Sequence, residues 1–495
     1  MAEKFRNLIN GKWVEAKSGE TFENRNPANW DEVVGIFPRS GKADVDAAVE
    51  AARGAYKKWR LVPAPARGDI MRKIGDMLVR RKDELAREMT REMGKVLAET
   101  KGDVQEGIDT AYYASSEGRR LFGHTVPSEL PDKFAMSVRM PIGVAGIITP
   151  WNFPMAIPTW KMFPAILSGN TVVFKPAQDT PKSATTLVEI MNEAGLPPGV
   201  VNIVHGFGRE VGTAIVTHPD VDLISFTGST PVGKQISRDA SETLKRVSLE
   251  LGGKNAEIVM DDADLDLALD GVLWGAFGTT GQRCTATSRL IVHEKIYDKF
   301  MTMLVGRTQK LRLGDGLLTT TDVGPVVNQN QQKTVQEYVQ IGKAEGATLV
   351  LGGSIPKSDG LGKGWFHEPT IFGDVKPSMR IAKEEIFGPV LSVLRARSLE
   401  DAITTLNDTA YGLSSSVYTR DINKAFQAMR DIEAGITYIN VPTIGAEAHL
   451  PFGGVKQTGN GHREGGWTVY DFFTEWKTIY VDYSGRLQRA QIDNY

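Results

Sequence analysis

One cysteine occurs in 495 residues. Cys284 lies in "TTGQRCTATSRL" (279–290), among glycine, small and hydroxyl-bearing residues and directly after Arg283. A lone thiol is most often an inert apolar filler. It becomes a covalent nucleophile when it borders a cleft and its thiolate is accessible. Gly281 and Gln282 before it, and the threonine-rich run 285–287 after it, predict a tight polar turn between a helix and the strand "SRLIVHE". That turn would place the thiol at an element end. Arg283 is a candidate to lower the thiol pKa from about 8.5.

Other patterns that suggest chemistry fail in detail. "GSTPVGKQ" (228–235) nearly spells a phosphate-binding P-loop, but Gln235 stands where magnesium binding needs Ser or Thr. It reads as a glycine-bearing turn opening a helix, whose backbone N–H groups can still hold a phosphate. A small-molecule kinase is therefore disfavoured. "GFGREVG" (206–212) misses the dinucleotide fingerprint because its third glycine comes one position late. The seven histidines are scattered without HExxH spacing, and one cysteine cannot build a thiolate cluster, so no metal site is expected. No GxSxG occurs, which argues against a nucleophile-elbow hydrolase. Glu384 and Glu385 alone would read as a solvated helix start.

The elements that must position these residues follow from periodicity. Residues 43–60 set Val45, Ala48, Val49, Ala52, Tyr56 and Trp59 on one helical face, and charged helical sequence continues from Arg67 to Thr110. From residue 144, short β-branched runs alternate with helices. "VAGII" (144–148), "TVVFK" (171–175), "VVNIV" (200–204), "LISF" (223–226) and "RVSLEL" (246–251) are the strands. The helices fall at about 183–194, 209–218 and 230–243. This alternation predicts a doubly wound parallel sheet, which binds ligands at the carboxyl ends of its strands. A second α/β series runs from "AEIVM" (256–260) to "GITYIN" (435–440), so two large domains are expected. "DFFTEWKTIYVDY" (471–483) has strand character far from either sheet and reads as an arm that needs a partner.

A net charge of −2 gives no basic field for nucleic acid or an anionic membrane. "MAEKFRNLINGKW" lacks the apolar core of a signal peptide, and prolines and glycines break the apolar stretch 140–158. With a single cysteine, these features predict a cytoplasmic protein.

"TPWNFP" (149–154), "FKPAQDTP" (174–181), "FTGST" (226–230) and "LELGGKN" (249–255) each follow a sheet strand. Together with "GQRC" and "EEIFGP" (384–389), these six motifs resemble the aldehyde dehydrogenase superfamily in order and spacing. The resemblance runs from "LINGKW" (8–13) to "PFGGVKQTGNGHRE" (451–464). It implies two doubly wound domains, a variant Rossmann cofactor domain and an α/β catalytic domain, with a β-strand oligomerisation arm. The corresponding boundaries are 1–121 and 140–252, 253–455, and 122–139 with 471–495.

The resemblance also implies roles. Cys284 matches the nucleophile, Asn152 the oxyanion-hole amide and Glu250 the base that activates water for thioester hydrolysis. The presence of Glu250 favours water over CoA as acceptor. NAD or NADP is the implied cofactor. Thr149, Pro150, Trp151, Lys175, Gln178, Gly208, Gly212, Phe226, Gly228, Ser229, Leu251, Glu385 and Phe387 fall at its binding positions. Ile157, Trp160, Arg283, Ile444 and Phe452 fall at or near the substrate tunnel. "PTIGAEAHLPFGG" (442–454) is longer than in common aliphatic aldehyde members and is similar to prokaryotic semialdehyde dehydrogenases, such as those acting on α-ketoglutaric semialdehyde. NAD-preferring members usually carry glutamate at position 178. Gln178 removes that charge, so NADP is expected to be accepted at least comparably to NAD. A homodimer or a tetramer of two dimers is expected.

Overall fold

The central strand of the first sheet, Val144–Ile148, is buried along its whole length, as a continuous apolar run must be when helices cover both faces. The computed structural model describes residues 2–357 and 360–493. The sheet has the order Arg246–Glu250, Leu223–Thr227, Val144–Ile148, Thr171–Lys175, Val201–Ile203, Asn7–Ile9, Lys12–Val14. The first five strands are parallel, and the two N-terminal strands add an antiparallel edge. The chain leaves the central strand in one direction through Thr171–Lys175 and returns on its other side at Leu223–Thr227. The crevice of a doubly wound sheet opens at that reversal. "PWN" and "GST" flank it.

Helix Lys42–Trp59 buries Val45, Ala48, Val49, Ala52 and Trp59 against this sheet. Tyr56 is only half-buried, and its hydroxyl donates to the Pro141 carbonyl at 3.1 Å. The charged helical stretch expected from Arg67 to Thr110 is two helices, Ala64–Met93 and Leu97–Glu117. Gly94 divides them at φ +91°, where an L side chain is strained and where a Cβ would meet Pro325 at 2.7 Å. The break turns the second helix back along the first and brings Glu99, Asp103 and Glu106 to the same cavity as Cys284.

The second sheet has the order Thr348–Leu351, Thr370–Gly373, Val390–Ala396, Arg289–His293, Ala256–Val259, Ser414–Tyr418, Ile436–Ile439. All its pairings are parallel except the first. A third, antiparallel sheet joins Thr474–Asp482 to Lys133–Pro141 and His124–Pro127. The arm therefore becomes a strand only at Thr474, because Val469–Phe473 is a short helix that buries Phe472 and Phe473 in the core. Residues 494 and 495 of the expected arm, and Met1 of the first expected domain, lie outside the described residues. No helix among the described residues is long and apolar enough to cross a membrane.

Candidate active site

Three consecutive left-handed residues lead to the thiol: Thr279 (φ 53°), Thr280 (φ 57°) and Gly281 (φ 68°). The two threonines store strain of about 1–2 kcal/mol each, which surrounding bonds must offset. The Thr279 N–H donates to both carboxylate oxygens of Glu99, at 2.8 and 2.9 Å. The Thr280 hydroxyl donates to the Gly324 carbonyl at 2.9 Å, and Gln282 Oε1 accepts from the Val327 N–H at 2.9 Å. Beyond the thiol, Asn255 Nδ2 donates to the carbonyls of Cys284 (2.8 Å) and Ala286 (2.9 Å), while its Oδ1 accepts from the Ser414 N–H (3.0 Å). Asn255 thus ties the Cys284 turn to the second sheet. Sequence reasoning placed this residue in "LELGGKN" but gave it no role.

The thiol is half-buried rather than exposed at an element end. Burial pushes its pKa far up, and the carboxyls of Glu250 and Glu385 act in the same direction. The N–H groups of Thr285 and of Cys284 itself pull the other way. Arg283 does not lower it. Its guanidinium turns aside, donating to Thr279 Oγ1 (2.9 Å) and Glu99 Oε1 (3.1 Å), so Glu99 takes up its charge. Arg283 lies 5.4 Å from the Phe153 ring and lines the tunnel wall.

Cys284 borders two spaces. On one side is a cavity of about 340 Å3 whose wall includes Ile157, Trp160, Phe452, Glu250, Trp274 and Arg283. Trp160 and Phe452 meet edge to face with centroids 4.7 Å apart. Ile444 is buried without reaching this wall, and the next two residues, Gly445 and Ala446, take the position instead. The sequence reading missed the acids of helix Leu97–Glu117. Asp103 forms a buried ion pair with Lys95 at 2.7 Å, and its other oxygen accepts from the Ala156 N–H at 2.7 Å, fixing the start of the helix that carries Ile157 and Trp160.

On the other side is a cleft of about 280 Å3 bordered by Pro150, Trp151, Asn152, Gly228, Ser229, Leu251, Glu385 and Phe387. The Trp151 and Phe387 rings stand at 90° with centroids 5.3 Å apart. Phe387 is itself left-handed at φ 57°, and Gln331 Nε2 holds its loop by donating to the carbonyls of Ile386 (3.0 Å) and Phe387 (2.8 Å). Glu385 Oε1 accepts from the Gly253 N–H at 2.9 Å. Burial pushes the Glu385 carboxyl up to about 7, against the opposing pull of that N–H and of Lys254. Asn152 Nδ2 donates to the Gln282 carbonyl at 3.2 Å, and its buried Oδ1 has no partner among the described residues.

Glu250 ends the edge strand of the first sheet. The "PFGGVKQTGNGHRE" segment closes over that edge: Leu251 N–H donates to Thr458 O (2.6 Å), and Asn460 Oδ1 accepts from Leu249 N–H (2.9 Å). Burial raises the Glu250 carboxyl well above its ordinary range, and the neighbouring Glu464 adds to this while Lys161 and Arg463 oppose it. Its Oε1 has no hydrogen-bond partner among the described residues. Glu464 also lines the tunnel and forms a buried ion pair with Lys161, whose Nζ reaches Ser225 Oγ at 3.0 Å.

A third space of about 860 Å3 lies across the first sheet's strand ends, bordered by Gln178, Gly208, Gly212 and Phe226. Lys175 and Thr149 are buried outside all three spaces. Lys175 Nζ donates to the Pro176 carbonyl at 2.7 Å, and the Thr149 N–H donates to the Lys175 carbonyl at 3.2 Å. Between the wide cavity and the narrow cleft stands the start of helix Thr230–Ser241, whose N-cap Ser229 makes no side-chain cap bond. Two spaces joined by a helix N-terminus, with a buried carboxylate in the narrower one, suit a dinucleotide: a base and ribose in each, and the pyrophosphate between.

A lone thiol lies between a groove that suits a dinucleotide and a largely apolar tunnel, with a buried carboxyl on the tunnel side. Residues 13–479 match the aldehyde dehydrogenase family. The chain is 44% identical over 484 residues to the alpha-ketoglutarate semialdehyde dehydrogenase of Haloferax volcanii, covering 98% of this chain and 100% of that protein. It is 42% identical to the alpha-ketoglutaric semialdehyde dehydrogenase of Bacillus subtilis, covering 96% and 98%. A betaine aldehyde dehydrogenase of Staphylococcus aureus, solved in complex with NAD+, superposes with a TM-score of 0.95 at 37% identity, covering 97% of this chain and 96% of that one. The chain belongs to the aldehyde dehydrogenase family, and it is an NAD(P)-dependent enzyme that oxidises an aldehyde to the carboxylic acid.

Proposed function

We propose that Cys284, Asn152 and Glu250 carry out this oxidation in sequence. The observation that carries the assignment is the position of Cys284 on the walls of both the tunnel and the cleft. The sulfur adds to the aldehyde carbon as its proton passes to solvent water, and the carbonyl electron pair moves to oxygen. The Asn152 amide and the Cys284 N–H stabilise that oxyanion; one such donor is worth about 3 kcal/mol in the transition state. A nicotinamide bound in the cleft supplies the acceptor for the hydride that leaves the same carbon. Trp151 and Phe387 shape the cleft there, and Glu385 is placed for a ribose hydroxyl. The product of that step is a thioester on Cys284. Glu250, once ionised, takes a proton from water, whose oxygen attacks the thioester carbon. The C–S bond breaks, and the acid departs through the tunnel.

The relatives' substrates favour a semialdehyde or a small to medium aldehyde as substrate. NADP is accepted at least comparably to NAD, because Gln178 brings no charge to the wide cavity. Asp179 does not replace that charge: its carboxylate accepts from Asn328 and Gln178 Nε2, each at 2.9 Å, and it does not reach the cavity wall. Residues 1–121 with 140–252 act as the cofactor unit and 253–455 as the catalytic unit. The arm, 122–139 with 471–495, joins subunits into a homodimer or a tetramer of two dimers. Support comes from the exposed edge strand Thr474–Asp482, which displays Trp476, Tyr480 and Val481 and needs a cover. A cytoplasmic location suits the single thiol.

The test is Cys284→Ala. Calorimetric cofactor binding should persist while aldehyde-dependent cofactor reduction disappears. Turnover above a hundredth of wild type would overturn the assignment.

A further inference from the structure

The wide cavity at the strand ends contains a cation that nothing above uses. Arg209, in the irregular helical turn Gly208–Gly212, is exposed at its rim. The other charged side chains on that rim each have a hydrogen-bond partner, but only Arg39 and Glu210 neutralise one another. Arg39 gives two hydrogen bonds to Glu210, Nη2 to Oε1 at 2.6 Å and Nε to Oε2 at 3.3 Å, and stacks over the Phe207 ring. Asp239 accepts from the Gln235 amide at 2.7 Å. No carboxylate lies within ion-pair distance of Arg209 in the described structure. Gln178 lines the same cavity; its Nε2 gives one hydrogen to Asp179, which leaves its second N–H and its Oε1 for a ligand.

We infer that Arg209 is the specificity-determining contact for the 2′-phosphate of NADP, with Gln178 as its neutral neighbour. The inference rests on the proposed cofactor groove and on its acceptance of NADP. A guanidinium presents paired N–H donors that match phosphate oxygens, and its charge is not otherwise neutralised here. Arg39 cannot serve equally, since Glu210 occupies its fork. Arg209 therefore distinguishes the two cofactors by adding an attraction that only a 2′-phosphate receives, where Gln178 merely omits a repulsion.

The test is direct binding, independent of turnover: calorimetric titration of the full-length protein with 2′,5′-ADP and with 5′-AMP. Wild type should bind 2′,5′-ADP at least as tightly as 5′-AMP. Arg209→Gln should weaken 2′,5′-ADP by about tenfold or more and leave 5′-AMP within about twofold. An unchanged ratio in Arg209→Gln overturns the inference alone. Wild-type binding of 5′-AMP without 2′,5′-ADP overturns it together with NADP acceptance. Failure to bind either nucleotide overturns the groove assignment as well. Because Arg209 is exposed, the variant should keep the wild-type melting temperature, which serves as the folding control.

Discussion

Replacing Gly252 by alanine probes how closely the backbone must approach Glu385. A Cβ on Gly252 would lie 2.3 Å from Glu385 Oε2, 2.8 Å from its Cδ and 3.0 Å from Oε1, where ordinary contact begins at 3.4 Å. The carboxylate must retreat by about 1 Å, which stretches its 2.9 Å bond from the Gly253 N–H beyond hydrogen-bonding range. Gly252 is not left-handed, so alanine adds no backbone strain and the effect is isolated to the collision. A hydrogen bond to a charged group is worth about 1.5–3 kcal/mol, which corresponds to a loss of about 10- to 150-fold in the affinity that Glu385 supports. Calorimetric titration with NAD+ and NADP+ reads that loss directly. It should be equal for both cofactors, since Glu385 lies far from the cavity that holds Gln178. Wild-type affinity in Gly252→Ala would refute the placement of Glu385 as a cofactor contact. A loss confined to NADP would refute the division of the groove into two ends.

Glu250→Gln should reduce up to one cofactor per active site in a burst and then stall with a thioester on Cys284, detectable by mass; loss of the burst itself would place Glu250 earlier. Because the ionised form of Glu250 is the base and burial holds its pKa well above the ordinary range, wild-type turnover should rise as pH climbs through that raised value and fall below it, a limb that Glu250→Gln removes. Gln178→Glu should lower kcat/KM for NADP relative to NAD, since like charges about 4 Å apart cost roughly 4 kcal/mol at an effective dielectric near 20; an unchanged ratio would sink the cofactor reading. Sedimentation should find a dimer or tetramer, and a stable, active monomer would contradict the role given to the arm.

The parallel strands of the first sheet were legible because each is a short run with apolar and β-branched residues, as strands covered on both faces need, whereas in the second sheet only Ala256–Val259, Arg289–His293 and Ile436–Ile439 were read from the sequence. Val144–Ile148 and Thr171–Lys175 fall where their composition places them. What the sequence hid was set by distant partners. Arg283 follows a glycine-rich turn and precedes the thiol, yet the acid that claims it, Glu99, is 184 positions away on a helix whose direction depends on Gly94. Periodicity alone could not separate two helices of similar charge at that glycine. Nor could propensity foresee left-handed threonines at 279 and 280, conformations that only their tertiary bonds sustain. The arm misled for a different reason: Phe472 and Phe473 carry strand propensity, but burial in the core is satisfied by a single helical turn before the strand begins.

The solitary state of Cys284 also determines how the enzyme meets oxidants. A sulfenic acid formed at this sulfur finds no second thiol in the chain with which to condense, so no internal disulfide can shelter it from further oxidation. Repair must come from outside, from a small thiol able to enter by the tunnel or the cofactor groove. The burial that keeps the resting thiol protonated slows the first oxidation, because peroxides react with the thiolate. A bound dinucleotide or aldehyde closes one of the two approaches, so peroxide inactivation should be slowest in the loaded enzyme. One sulfhydryl per chain also makes alkylation a count of reactive centres: each reagent molecule bound removes one nucleophile.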